Sequence, residues 1–414
     1  MIGRMVSKLV RVVAVVVVAG AVAFTSSPAQ AQWGGMGMDA RAMDVSISRR
    51  TVDAMTRILM LDKDQKETVL NLHDGYKKDY EAAQNKMTDG MKGIQEKVAD
   101  TGDFTLFQKE IPKLAKEFSE KSRTLETTFL NDVKLALTEP QLAKWPQLER
   151  YRRRDKMMRV GVVSGAAVDL IRVVDRLKLT ATDKAELDSL LERYELDIDK
   201  SVSDLERMQK EMEEKFMNGD GRNMMDIGKI QEQLKALYEP GKAMRETNKE
   251  YTRKIGLVLD EKSRERFEAE VKARGFPRVY RQAHVIKQME AAEKLEGLDK
   301  GKKDEIAALR ASYLKEAAST NERWAKAIEE RDDKAGGTFA AMMSNMTGGG
   351  GELNKDVNEA RQARKELDAK TKEKLESLLT EEQWSKLPAA PPEPRGGPWA
   401  DMMPQPDDED EPGQ

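Results

Sequence analysis

The chain has no cysteine in its 414 residues. Disulfide frameworks and thiolate metal clusters are therefore excluded. Aromatic residues make up 5% of the chain, and the only histidines are His73 and His284. So few rings leave too little bulk for a large α/β core. Two histidines also give little material for an imidazole metal site. An excess of one charge is missing as well: 71 basic and 74 acidic residues give a formal net charge of -3. Balanced charge argues against a general nucleic-acid binder. No nucleophile motif, glycine-rich phosphate loop or dinucleotide fingerprint occurs. The expectation is a protein that is not an enzyme and holds no cofactor.

Long apolar stretches are confined to Val12 through Phe24. Arg4, Lys8 and Arg11 precede this run, and Ala29-Gln30-Ala31 follows it with a small-x-small cleavage pattern. Residues 1–31 read as a signal peptide cleaved before Gln32, with an uncleaved anchor as the alternative. Either reading places the remainder outside the cytoplasm, in the periplasm or secreted. Residues 389–414 are rich in Pro and Gly and run through Asp407-Asp408-Glu409-Asp410-Glu411. No apolar face forms there, so disorder is expected. Trp399, Met402 and Met403 in this tail read as a bland segment or a short docking motif.

What the chain does have is charge, at 35% of residues, in a pattern that suits long helices with wide wet faces. Two stretches punctuate it: Leu137-Thr138-Glu139-Pro140-Gln141 and Leu379-Thr380-Glu381-Glu382-Gln383. Each reads as a capping box, in which the Thr hydroxyl accepts from the N–H three residues on and the Gln amide reaches back. Staples are expected between Leu137 and Leu142, and between Leu379 and Trp384. Around these corners the chain repeats with a period of about 120 residues. Front corners begin at Leu61, Leu179 and Leu298, and rear corners at Leu137, Leu259 and Leu379.

On that alignment Val52, Leu170 and Met289 coincide, as do Met55, Val173 and Ala292, and Val69, Leu187 and Ile306. Tyr76, Tyr194 and Tyr313 also coincide, as do Val133, Ile255 and Leu375. The offsets step by three and four, one helix face, and the seams approach the 3.5 period of an antiparallel coiled coil. The expected fold class is all-α: three tandem four-helix units, each a long antiparallel helical hairpin flanked by short helices. Their spans are 32–157, 158–283 and 284–388. Expected hairpin tips are Thr101-Gly102-Asp103, Asn218 to Gly221, and Thr347 to Gly351, and Pro240-Gly241 is expected to kink or interrupt a returning helix.

Strict Leu-Thr-x-x-Gln corners flanking long helices behind a signal peptide resemble the Spy/CpxP-like LTxxQ-motif periplasmic family. The resemblance implies helical hairpins acting as ATP-independent chaperones, stress-sensor inhibitors or metal-responsive proteins. The motif residues that match are Leu137, Thr138, Gln141, Leu379, Thr380 and Gln383, in a structural role. Front corners match only in fragments, Leu61 with Gln65 and Leu179 with Thr180. Three units depart from the family's single dimerising hairpin and leave the oligomeric state open.

Methionines number 23. Met217, Met224 and Met225 fall at the second tip, and Met342, Met343 and Met346 at the third. They read as loop and core packing or as adaptable contact surface for clients, with Cu(I) ligation a subtler option. Six basic residues between Arg150 and Arg159 read as a solvated helix or as a patch for anionic lipid or an acidic client. The function expected is chaperone-like binding of unfolded or partly folded envelope proteins. Alternatives are a structural spacer or adaptor of the envelope, and a metal or envelope-stress sensor.

Overall fold

A computed structural model describes residues 47–158, 161–218, 227–346 and 350–389. The expected signal peptide and acidic tail, residues 219–221 of the expected second tip, Met224 and Met225 lie outside the described residues. Regular structure among the described residues is entirely α-helical. The described chain divides into two compact units. One takes the residues up to 158 together with Asp199–Ala236, and the other takes 161 to Ile198 together with the chain from Leu237 on.

In the first compact unit, α1 (Arg49–Ile58) precedes two long helices, α2 (Lys63–Thr101) and α3 (Thr105–Leu135), and the short α4 (Glu139–Leu142) and α5 (Trp145–Met157). At 1.5 Å per residue α2 is roughly 58 Å long. Helices α2 and α3 run antiparallel: Lys86 meets Glu117 at 3.1 Å, and the Tyr80 and Phe118 rings lie 5.7 Å apart. Their reversal is at the expected tip, where Gly102 takes a left-handed φ of 68°. Between them Val69, Tyr76, Tyr80, Phe129 and Val133 form one cluster with Val52 and Met55 of α1 and Trp145, Leu148 and Tyr151 of α5. A second cluster nearer the tip holds Met87, Met91, Ile94, Val98 and Ile111. Gly90 lets the helices close on each other: a Cβ there would meet the Leu114 methyls at 2.8 Å.

The second compact unit contains α6 (Leu170–Arg176) and the first half of α7 (Ala181–Asn218). It also takes most of α8 (Ile227–Val258), all of α9 (Glu261–Gly275) and the remaining helices. Tyr194 and Tyr251 pack edge to face at 5.4 Å across α7 and α8. Helix α8 continues through Pro240-Gly241, so of the expected kink or interruption the interruption does not occur. Proline removes one donor from the ladder, and Gly241 brings the helix close to Val163, whose methyl would lie 2.9 Å from an added Cβ.

Then follow α10 (His284–Glu293), α11 (Lys300–Ala335), α12 (Thr338–Met346), α13 (Gly350–Leu353), α14 (Lys355–Leu378) and α15 (Glu381–Ser385). Met289, Ala292, Ile306, Tyr313, Ala317, Leu375 and Leu387 form their core. Helix α11 ends at Gly336 and Gly337, with φ of 80° and 115°, and the short α12 and α13 follow before α14. Of the expected tip Thr347 to Gly351, residues 347–349 lie outside the described residues.

The residue before each front-corner leucine is left-handed: Met60 and Lys178 at φ 52° and Gly297 at φ 78°. A side chain in that region is strained by roughly 1 kcal/mol, which glycine avoids at some cost in unfolded-state entropy. Lys178→Gly should therefore raise stability by about 0.5–1 kcal/mol, and Gly297→Ala should lower it by about 1 kcal/mol. Urea midpoints with unchanged slopes test this. A loss of stability in Lys178→Gly would contradict it.

Candidate functional site

The corners are where the expected motif residues lie. In the first, Gln141 Oε1 accepts from the Thr138 N–H at 2.9 Å and from the Thr138 hydroxyl at 3.0 Å. The facing front corner has its own box: Asp62 accepts from the Gln65 N–H at 2.8 Å, and Gln65 Oε1 accepts from the Asp62 N–H at 3.1 Å. The two glutamines also bind each other. Gln65 Nε2 donates to Gln141 Oε1 at 2.9 Å, and Gln141 Nε2 donates to Gln65 Oε1 at 2.8 Å. The second amide protons go to the carbonyls of Ala136 at 2.8 Å and Met60 at 3.3 Å. One ring of amides thus closes the ends of α2 and α3.

The Thr380 corner has the box alone: Gln383 Oε1 accepts from the Thr380 N–H at 3.0 Å, and Thr380 accepts from the Gln383 N–H at 3.3 Å. Leu379 and Trp384 both pack on the core of α10, α11 and α14, as a staple requires. Leu137 packs on its own core, but Leu142 stays partly exposed.

Around these corners large apolar side chains face solvent. In the first compact unit Met60 is 69% and Leu135 86% exposed, and Leu142 adds to them. Lys144 Nζ lies 2.7 Å from Met60 Sδ, and Lys134 Nζ stands 4.5 Å over the Trp145 ring. In the second, Leu257 is 78% exposed and Val258 accompanies it just before Leu259. Leu135 and Leu257 stand two residues before the rear-corner leucines Leu137 and Leu259. Sequence reasoning passed over them, although their register gives the signal: each stands two places off the buried seam.

The methionines behave differently from these leucines. Met55, Met87, Met91, Met244, Met289 and Met343 are buried, Met343 at 1% exposure. Met342 is half-buried, and Met217 and Met346 have only their backbone described. A flexible thioether fills irregular gaps, as Met87 and Met91 do between α2 and α3.

The basic run is largely committed to partners. Arg152 pairs with Glu126, Arg153 makes a fork to Asp199 at 3.0 and 2.7 Å, and Arg154 is buried. The histidines each hold a backbone carbonyl: His73 Nε2 lies 2.8 Å from Ile47 O, and His284 Nε2 lies 3.0 Å from Pro388 O.

Buried polar hubs lock the hairpins of the second compact unit. Tyr194 OH lies 2.9 Å from Asn248 Oδ1 and 3.2 Å from Val168 O, and it accepts from the Leu170 N–H at 3.3 Å. Tyr313 OH donates to Asp368 at 2.7 Å and accepts from Arg364 at 2.6 Å. Arg364 also donates to Asn321 at 2.7 Å. Burial, with an added push from Asp197, takes the Tyr251 phenol up to about 12.

Among the described residues no group of three His, Asp or Glu side chains is placed to hold a metal ion. No described helix is long and apolar enough to cross a membrane. Comparison with family models, with curated proteins and with solved structures finds no match.

Proposed function

We propose that this chain is an exported, ATP-independent chaperone-like protein that binds unfolded or partly folded polypeptides at the corner ends of three tandem helical hairpins. Export rests on the leader pattern of residues 1–31. The threefold repeat is supported by equivalent burial. Val52, Leu170 and Met289 are fully enclosed, as are Val69, Leu187 and Ile306, and Val133, Ile255 and Leu375. The aligned tyrosines are buried, and the left-handed residue recurs before every front corner.

The observation that carries the function is the exposure of Leu135 and Leu257 at equivalent places before two rear corners. Neither side chain contributes to a core, and each sits on a rigid helix end beside charged side chains. Single exposed leucines are ordinary on a protein surface. Their recurrence at one position of a repeat, with Met60, Leu142 and Val258 around them, is what favours a contact surface. Loose apolar contact combined with charge steering suits unfolded partners, which present both.

The test is light scattering from a denatured client diluted with the protein at several-fold molar excess. Suppression is expected, and Leu135→Glu combined with Leu257→Glu should remove most of it while leaving the helical circular dichroism unchanged. A native chain without any suppression defeats the reading.

A further inference from the structure

In the second compact unit α11 has two working faces. One carries Ile306, Tyr313, Ala317 and Asn321 into the seam with α14. The opposite face carries Glu322, Glu329 and Asp333, and these meet cations from α8 and α9. Lys272 reaches Glu322 at 3.1 Å, Lys249 reaches Glu329 at 2.8 Å, and Arg245 donates to both oxygens of Asp333 at 2.7 and 3.0 Å. Tyr238 OH adds a bond to Asp333 at 2.9 Å.

The end of α11 is fastened by backbone as well. The Ser164 N–H donates to the buried Asp332 carboxylate at 3.0 Å, and the Thr338 N–H donates to Val162 O at 3.1 Å. Gly337 fits against Val162 and Tyr238, where a Cβ would lie 3.2 Å from Val162 O.

This contact differs in kind from the hairpin seams. Ion pairs and a short strap run across it. It is also incompletely satisfied: Arg245 Nη1 and Thr252 Oγ1, on the same face of α8, are buried without a hydrogen-bond partner. Orphan buried donors weaken an interface, and ion pairs at its rim are screened by salt. Arg245 is 2% exposed, and besides Asp333 across the contact it has Glu246 on its own helix at 3.2 Å.

We propose that this contact is a clasp that opens. On opening, the end of α11 lifts from the Val162–Ser164 strap. Val162 and Tyr238 are uncovered, and Arg245 and Lys249 exchange Asp333 and Glu329 for carboxylates of a bound chain. The occupant is an extended polypeptide segment with acidic side chains next to apolar ones. The inference rests on the client-binding reading above and gives it a second, regulated surface.

The amide protons of Ser164 and Thr338 cross the contact and report its opening directly. In hydrogen exchange on the full chain, Asp333→Asn or Glu329→Gln should accelerate both about tenfold. Amides around Ile306 and Leu375 should stay protected. Raising salt should act in the same direction. Lys249→Glu and Glu329→Lys should each accelerate exchange, and the pair together should return it toward the native rate. A labelled Leu–Glu peptide should bind Asp333→Asn several-fold more tightly than the native chain, with a Leu–Lys peptide indifferent.

Unchanged exchange at Ser164 and Thr338 overturns the clasp. Faster exchange with no gain in peptide binding overturns its role in binding. Failure of aggregation suppression concerns the corner ends instead, and it would leave the exchange response standing.

Discussion

Tyr194→Phe is expected to destabilise the second compact unit by about 3 kcal/mol, for loss of one oxygen atom. The phenol is fully enclosed. Its proton goes to Asn248 Oδ1, with Val168 O close by, and its oxygen receives the Leu170 N–H. Asn248 in turn donates to Ala166 O at 3.0 Å. The hydroxyl therefore ties the chain entering α6 and the first turn of α6 to both long helices. Phenylalanine keeps the ring contact with Tyr251 but leaves an amide oxygen and a helix-start N–H without partners in a dry site. Each orphan costs about 1–3 kcal/mol. Against a total stability of roughly 5–15 kcal/mol for a domain, the urea midpoint should fall far with its slope unchanged. Asn248→Ala should cost about as much, and the double variant clearly less than the sum. A Tyr194→Phe protein within 1 kcal/mol of native would show that the hub has no such role.

That hub shows what the sequence discloses and what it hides. Tyrosine at one position of each proposed repeat was visible, and Tyr76, Tyr194 and Tyr313 are all buried. Periodicity of apolar residues marks a buried face regardless of partner, so the seams were legible. The partners were not. Asn248, Arg364 and Asp368 lie on helices crowded with similar polar residues, and only the antiparallel register selects them.

Local signals also competed. The third tip was read from the glycine run at Gly348, and the Gly336-Gly337 pair that ends α11 was not considered. There Asp332 fixes the turn through the Thr338 hydroxyl at 2.7 Å. Methionines at the tips drew attention as contact surface because softness is their chemistry. Of the tip methionines only Met342 and Met343 have described side chains, half-buried and buried. Leu135 and Leu257 escaped notice because a leucine beside an apolar stripe looks like part of it until the helix face is counted.

The first corner supplies the other large effect, through what a capping motif does beyond its own helix. Gln141 and Gln383 occupy the same place in the same five-residue pattern. Among the described residues Gln383 bonds only within its own box with Thr380. Gln141 caps Thr138 and also exchanges two amide bonds with Gln65 and donates to Met60 O. Loss of a cap costs roughly 0.5–2 kcal/mol, so Gln383→Ala should cost about 1 kcal/mol. Gln141→Ala should cost about 2 kcal/mol or more, because Gln65 and Met60 lose partners in a half-buried site. With Gln65→Ala the double variant should fall short of the summed costs by about 1 kcal/mol, the signature of a shared bond. Gln141→Glu separates the two roles. A carboxylate still accepts from Thr138 at a helix start, where negative charge is favoured, but it has no proton to give Gln65 or Met60. It should sit between native and alanine, and because it still accepts from Gln65 Nε2, Gln65→Ala should cost it less than it costs the native chain but not nothing. Equal costs for Gln141→Ala and Gln383→Ala, additive with Gln65→Ala, would reduce the corner to an ordinary helix cap.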